Sequence, residues 1–542
     1  MPDILLIQPP IHDFYLTAKR TLPYGLASIA ASLRKAGLSV EILDALATPK
    51  SRIIAWPGEM AYLEPFFGRS DRSPFGLFHT FRHFGYSLEH IANQARRSGA
   101  FLIGISSLFS AYSAVALETA SIVKRTCPQA FVVLGGHHPT AMPEQVMQHP
   151  AVDFVLRGDG EIGLPLLARA LQQALPLDGI PGLVQRCDDG TFSIRPPAVA
   201  DDLDRLPQPA LDLIRWSHYQ RAGQAGFALS AGRGCPLKCS YCSVNTNTYH
   251  GFRLRGVERI VAELASVNKR HRLGFVDFED EHLCADRDWF SHLLTAIRNR
   301  FGQRPFELRA MNGLFAPALS RRIIQQMQQS GFKTLNLALI TTCALQLKRF
   351  RRPNITAALD RVLSDSMRSG LNCVVYIIVA GPGQRPEQSV DDLIHLAQRR
   401  VLAGVSIFYP SPGSDDYEWC RGRHMLPDQL SLLRATAMPL EDHTSRLAAV
   451  TLLRLGRVLN FMKLLIDQGN GIPQPGAPEK LTKLPESRLE IGRMLLAGFL
   501  NDGLIRGVDS DGKLYAHLTD SKLCMMFLER LRRVKLMGSR VV

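Results

Sequence analysis

Three cysteines, Cys235, Cys239 and Cys242, fall within eight residues in the run Ala231-Gly232-Arg233-Gly234-Cys235-Pro236-Leu237-Lys238-Cys239-Ser240-Tyr241-Cys242. A loop of that length can fold around a cube of iron and sulfide, and thiolates are the usual ligands of such clusters. Only three cysteines are local. A structural zinc or a closed electron-transfer cluster wants a fourth ligand, whereas three leave one iron open to bind a substrate or cofactor. The other reading of the trio is a zinc site completed by a distant residue, or a set of packed thiols. The chain has ten cysteines in 542 residues, which is not a disulfide framework. In a reducing compartment, a tight cysteine cluster points to metal or redox chemistry. Cys127, Cys187, Cys373, Cys420 and Cys524 read as packed thiols, while Cys284 and Cys343 follow strand ends and can face a cavity.

The cluster run must be positioned by the elements around it. It follows an apolar strand at 227–230, the first of a βα series with further strands at 274–278, 306–309, 334–339, 373–379 and 404–408. Helices at 256–269, 287–299, 317–330 and 354–369 lie between them. Such a series suits a partial (β/α)6 barrel with its active site at the strand C-termini. An earlier series occupies the first 200 residues, with strands at 3–8, 40–43, 101–105, 130–134 and 152–156 and helices at 24–36, 87–98 and 113–125. Alternation of this kind predicts a doubly wound parallel sheet, whose ligands sit beyond the strand C-termini. Gln8, Ser106, Ser107, Gly135, Gly136 and Gly158 are at such ends. Residues 48–86 read as irregular. From about 425 the pattern becomes helical, with long stretches at 443–468 and 486–500, a Pro/Gly-rich run from Gly469 to Pro478, and a hairpin around Asp511-Gly512. The expected division is an α/β N-terminal domain at 1–195, a linker at 196–224, a barrel at 225–424 and a small α-rich domain at 425–542.

The net charge is +15, from 64 basic and 49 acidic residues. The basic residues are scattered in short clusters such as 348–352 and 530–535, so the charge alone does not argue for nucleic acid. The start of the chain reads as a first strand rather than a signal peptide. No apolar run reaches the roughly 18 residues of a spanning helix. No membrane partner and a cytoplasmic location are therefore expected.

The C-x-x-x-C-x-x-C spacing, with an aromatic before the last Cys at the end of a first barrel strand, resembles the radical SAM superfamily. The resemblance covers about residues 225 to 420. It implies a 4Fe–4S cluster on Cys235, Cys239 and Cys242, with S-adenosylmethionine on the open iron and Tyr241 beside the adenine. In that family, electron transfer releases methionine and a 5′-deoxyadenosyl radical. Glu279 and Asp280, in Phe278-Glu279-Asp280-Glu281, resemble the segment that holds the methionine ammonium. Gly381 and Pro382 resemble a turn that lets backbone approach the cofactor, and Tyr409 stands where adenine contacts are placed. The fourth strand departs from the family: Thr341-Thr342 replaces a Glu, leaving Thr341 as the hydroxyl that can meet the ribose.

Leu134-Gly135-Gly136-His137-His138-Pro139-Thr140, followed by Val152-Asp153-Phe154 and Arg157-Gly158-Asp159-Gly160-Glu161, resembles the cobalamin-binding domain fused to many radical SAM enzymes. Gln8, Ser106 and Ser107 fit the same pattern. The resemblance covers about residues 1 to 190. It implies that Gln8, Ser106, Ser107, Gly135, Gly136, His137, His138, Gly158 and Glu161 contact cobalamin. The D-x-H-x-x-G motif that supplies a histidine to cobalt elsewhere is absent, and Phe81 to Tyr86, with His83, is the candidate to approach the lower face. Together the two resemblances imply a cobalamin-dependent radical SAM enzyme acting on a small molecule. Its electron would come from a donor such as flavodoxin or ferredoxin. Relatives commonly methylate unactivated carbon or phosphorus; others use both cofactors for oxidation or ring formation, and RNA modification is a further alternative.

Overall fold

The computed structural model of the protein describes residues 1–14, 22–244, 251–476, 485 and 487–540. The Pro/Gly-rich run from Gly469 thus passes into 477–484, outside the described residues. The N-terminal half is built on a seven-stranded sheet. Five parallel strands run in the order Val40–Asp44, Ile4–Gln8, Leu102–Ser106, Phe131–Gly135, Phe154–Leu156. Ile4, Leu5, Leu6 and Ile7 are all buried, because helices cover both faces of a parallel sheet. Leu5 and Ile7 pack in one core with Ile91, Ala95, Ala116 and Ala120; Ile4 and Leu6 pack in another with Ala30, Leu33, Leu164 and Leu167.

Two features of this half depart from the sequence reading. Strands Leu183–Arg186 and Phe192–Ile194 extend the sheet antiparallel at its edge. The stretch read as irregular contributes Ser51–Ile53 and Arg82–Phe84; the latter is the central strand, antiparallel to Ser51–Ile53 on one side and to Ile11–Asp13 on the other. Strands of three residues are too short for period-two alternation to register.

The second half is an open barrel in two parallel sheets. The first contains Gln224–Leu229, Leu273–Phe278 and Glu307–Arg309; the second contains Thr334–Ile340, Asn372–Val379 and Leu402–Ile407. Single bridges, Leu308 with Phe332 and Leu314 with Leu337, join them. All six expected strands form, with boundaries moved by one to three residues. The helix Pro386–Ala397, opened by a Pro in its first turn, lies between the last two strands.

The helix Arg446–Asp467 is apolar on nearly all sides, and its Gly456 lets it approach Val405 of the last barrel strand. Residues beyond 425 share one core with the barrel and with Met60, Phe67 and Phe75 of the N-terminal half. Two buried cations on this helix tie segments together through carbonyls. Arg454 donates to Phe75 O (3.1 Å) and Phe66 O (2.9 Å). Lys463 Nζ donates to Arg399 O (2.6 Å) and Met537 O (3.0 Å), and burial pushes its pKa down to about 7. Lys463→Met removes the donor for these carbonyls and is expected to cost roughly 3 kcal/mol in chemical denaturation. Among the described residues no helix is long and apolar enough to cross a membrane.

Candidate active site

The cysteine loop is held on both sides. Strand Gln224–Leu229 leads into Gly232–Arg233, which pairs antiparallel with Arg253–Leu254. Gly234 follows at φ +87°, and a Cβ there would stand 2.2 Å from Gly251 O, so only glycine fits. Asp280 Oδ2 accepts from Ala231 N (3.0 Å) and Glu281 Oε2 accepts from Gly234 N (3.1 Å). Burial pushes the Asp280 carboxyl up to about 7, against these backbone donors. At the other end of the loop, Ser240 N donates to Phe350 O (3.3 Å), Asp416 N donates to Ser240 O (2.9 Å), and Ser240 Oγ donates to Asp416 Oδ2 (2.9 Å).

Cys235, Cys239 and Cys242 are all half-buried on this loop. Burial, with the neighbouring Cys239 and Cys235 thiols adding to it, pushes Cys242 up to about 11; burial and Cys239 raise Cys235. Thiols so close and so poorly solvated ionise when metal cations meet them, which is the chemistry of a metal–sulfur ligand set. Three thiols on one loop, with no fourth cysteine in the run, are a donor set that fits a cluster with one open iron. Tyr241 packs edge-on against Phe350 (5.0 Å), which stacks on Phe408 (6.3 Å), forming an aromatic wall beside the loop.

The strand ends of the N-terminal sheet offer a second cradle. Gly136 has φ +120°, and a Cβ there would lie 2.5 Å from Ser107 O. A Cβ on Gly135 would meet only Leu156 O, at 3.6 Å, so it borders open space. The Ser107 hydroxyl is buried without a hydrogen-bond partner. Leu108 and Phe109 beside it are 42% and 59% exposed, an apolar rim that a flat macrocycle can cover. Open space at a glycine, an orphaned hydroxyl and an uncovered apolar edge fit a cofactor of the corrinoid kind.

Ion pairs join the segment ahead of the cysteine loop to the loop that follows strand Phe154–Leu156. Arg233, two residues before Cys235, donates to Asp159 Oδ1 (2.7 Å) and Glu161 Oε1 (2.5 Å) of the N-terminal half. Arg253 Nη1 donates to Asp159 Oδ2 (3.0 Å). His137 is exposed and lies within the fields of Glu281, Arg233 and Asp159; desolvation, the largest influence, lowers its pKa. The Tyr417 hydroxyl meets Met142 Sδ at 4.0 Å. Arg233→Met leaves the buried Glu161 carboxylate without its cation, while Asp159 keeps Arg253, and is expected to cost about 3 kcal/mol of stability, read by denaturant unfolding.

Residues 78–168 match the B12 binding domain family and residues 229–397 match the Radical SAM superfamily. The chain carries a B12-binding domain and a radical SAM domain. A radical SAM enzyme of this kind uses a 4Fe–4S cluster, S-adenosylmethionine and cobalamin. It is 26% identical over 343 residues to an uncharacterised methyltransferase of Pyrococcus horikoshii, covering 62% of this chain and 72% of that one. It is 22% identical over 477 residues to the cytidylyl-2-hydroxyethylphosphonate methyltransferase of Streptomyces wedmorensis, covering 80% and 84%. In fold it resembles the radical S-adenosylmethionine methyltransferase TsrM of Kitasatospora setae, solved with cobalamin and a [4Fe-4S] cluster, with TM-score 0.58 and 16% identity over 78% of this chain and 76% of that one.

Several residues expected to bind cofactor in this radical SAM enzyme are engaged otherwise. Thr341 is 1% exposed and its hydroxyl donates to Asp392 Oδ2 (2.8 Å), so it is not turned to a ribose. Asp280 is spent on the loop backbone. Gly158, at φ +82°, is pressed against the backbone of Ala198, 2.1 Å from a would-be Cβ, and Glu161 is bound by Arg233. The chain itself therefore fills that strand end. His138 is buried with Nδ1 3.0 Å from Ser110 Oγ. His83 is buried between Tyr86 O (3.1 Å) and His12 Nε2 (2.9 Å), so both ring nitrogens are occupied and neither reaches a lower face. Gly381 is needed for a packing reason, since a Cβ would lie 2.6 Å from Phe350 Cζ, and Pro382 O lies 3.3 Å from the Gln346 amide nitrogen that donates to it. Glu279 and Tyr409 remain exposed at the barrel mouth. Gln8, Ser106 and Gly135 end adjacent strands. Missed from the sequence were Arg233 and Glu281. Both lie inside segments already singled out, and an arginine next to a metal-binding run was the available signal.

Proposed function

We propose that this enzyme transfers a methyl group from S-adenosylmethionine to an unactivated carbon, or a similar centre, of a small molecule. The observation that carries the reading is the pairing of Arg233, two residues before Cys235, with Asp159 and Glu161 at a strand end of the N-terminal sheet, which ties the cysteine loop to the half that carries the Gly135–His137 turn. When bound, the cluster, S-adenosylmethionine and cobalamin supply radical and methyl-transfer chemistry that side chains lack. The chain's own part is to hold, orient and shield. Cys235, Cys239 and Cys242 hold the cluster. Tyr241 and Tyr409 flank the adenine, and exposed Glu279 pairs with the methionine ammonium. Gln8, Ser106, Ser107, Gly135, Gly136 and His137 line the corrinoid crevice. A one-electron donor of the flavodoxin or ferredoxin kind reduces the cluster. The two relatives that overlap most of this chain are methyltransferases, which supports this reading; relatives that overlap about a third of it include cyclases.

The test is product analysis. Reconstituted, reduced, corrinoid-loaded enzyme given S-adenosylmethionine should form both 5′-deoxyadenosine and S-adenosylhomocysteine. Deoxyadenosine alone would redirect the reading to oxidation or cyclisation, and neither product would overturn it.

A further inference from the structure

Arg352 follows the short helix Ala344–Arg349, whose end carries the cysteine loop through Phe350 O. Its backbone N–H is fixed on Leu347 O (2.9 Å). The guanidinium lies 5.0 Å over the Phe315 ring, and Nη2 donates to Ala338 O (3.3 Å). Nη1 points at Cys239 Sγ, 3.6 Å away. Nε is buried with no hydrogen-bond partner. Every other guanidinium near the loop has a carboxylate: Arg233 has Glu161, Arg253 has Asp159, Arg349 has Asp416. Arg352 forms no ion pair with a described carboxylate. A guanidinium stays protonated under all ordinary conditions, so Arg352 sets a fixed positive charge against Cys239 Sγ with no described carboxylate to neutralise it. The groups that share its field are Cys235, Tyr241, Cys239 and His282, of which the thiols are the ones that become anionic on binding iron.

We infer that Arg352 donates a charge-assisted N–H···S hydrogen bond to the Cys239 thiolate and so raises the reduction potential of the cluster. Hydrogen bonds to sulfur and nearby charge are among the determinants of iron–sulfur potentials. A donor withdraws electron density from the thiolate, and a fixed positive charge favours the state with one more electron. The step affected is the uptake of one electron by the oxidised cluster from an external one-electron reductant. Arg352 itself neither gains nor loses a proton. In this account it is a tuning residue touching a cluster ligand, placed by Phe315, Ala338 O and Leu347 O. The inference rests on the assignment of the cluster to Cys235, Cys239 and Cys242.

The test is EPR-monitored titration of the reconstituted full chain with dithionite, without S-adenosylmethionine, for the parent, Arg352→Gln and Arg352→Lys. Iron content is measured alongside. Arg352→Gln should keep its iron and disfavour reduction about tenfold or more, a shift of at least about 59 mV to lower potential for one electron. Arg352→Lys, which keeps charge but not the planar fork, should fall between. An unchanged potential in iron-loaded Arg352→Gln overturns the inference. So does a change seen only once S-adenosylmethionine is added, which would assign the guanidinium to that ligand's carboxylate. If neither variant retains iron, Arg352 is a brace for the loop and the tuning role is likewise wrong. A parent protein that holds no cluster would instead defeat the assignment on which the inference rests.

Discussion

Single replacement of Cys235, Cys239 or Cys242 by Ala should reduce bound iron severely and abolish cleavage of S-adenosylmethionine. The parent chain should reconstitute to about four irons and four sulfides. Each thiol is a separate ligand on one loop, and no further cysteine of that loop can substitute: after Cys242 the run continues Ser243-Val244. Cys284 is close enough to feel Cys235, but it lies outside the loop, fully buried and packed beside His282. The fold should survive the changes, because the loop is anchored by Asp280, Glu281, Ser240 and Asp416 rather than by the cysteines. Iron analysis, absorbance and a deoxyadenosine assay check the prediction together. A triple variant with full iron content would defeat it.

The second large effect separates the two adjacent glycines of the corrinoid cradle. Gly135→Val should cut hydroxocobalamin binding tenfold or more with little change in thermal stability. Its Cβ would meet protein only at Leu156 O, 3.6 Å away, so a larger side chain enters the space left for a ligand. Gly136→Val should damage the fold as well as the binding. There φ is +120° and a Cβ would stand 2.5 Å from Ser107 O, so the turn after the strand must move. Equilibrium binding followed by absorbance, beside thermal unfolding of both variants, distinguishes the cases. Equal loss of stability in the two variants would show that Gly135 serves packing instead. Neither His138 nor His83 should coordinate cobalt: both are buried in internal hydrogen bonds.

Much of this was legible in the chain. The βα alternation gave the parallel sheets because strands such as Ile4–Gln8, buried almost throughout, and Asn372–Val379, buried at every second residue, are nearly continuous apolar runs bounded by Gly and polar residues. The cysteine spacing placed the cluster loop at a strand end without any tertiary information. What escaped was whatever depends on residues far apart meeting. Thr341 and Asp392 are 51 positions apart, and only their contact shows that the hydroxyl is already used. Glu161 looked like a strand-end polar group until Arg233, 72 positions on, was found against it. Gly158 signalled close approach of backbone correctly in kind, but the approaching backbone is Ala198 and not a ligand. The C-terminal helices looked separable because their own pattern is apolar on nearly all sides; that same pattern is why Arg446–Asp467 is buried in the common core.

The central claim is that one space joins the cluster loop and the corrinoid cradle. It is tested most directly by magnetic coupling between the two cofactors. With the cluster reduced and the corrinoid in its paramagnetic cobalt(II) form, both carry an unpaired electron. In the doubly loaded protein the EPR lines should broaden or split, and spin relaxation should quicken, relative to protein loaded with either cofactor alone. Gly135→Val, which should lose the corrinoid and keep the cluster, should restore the unperturbed cluster signal. A doubly loaded spectrum equal to the sum of the singly loaded ones would place the cofactors far apart and contradict the shared site.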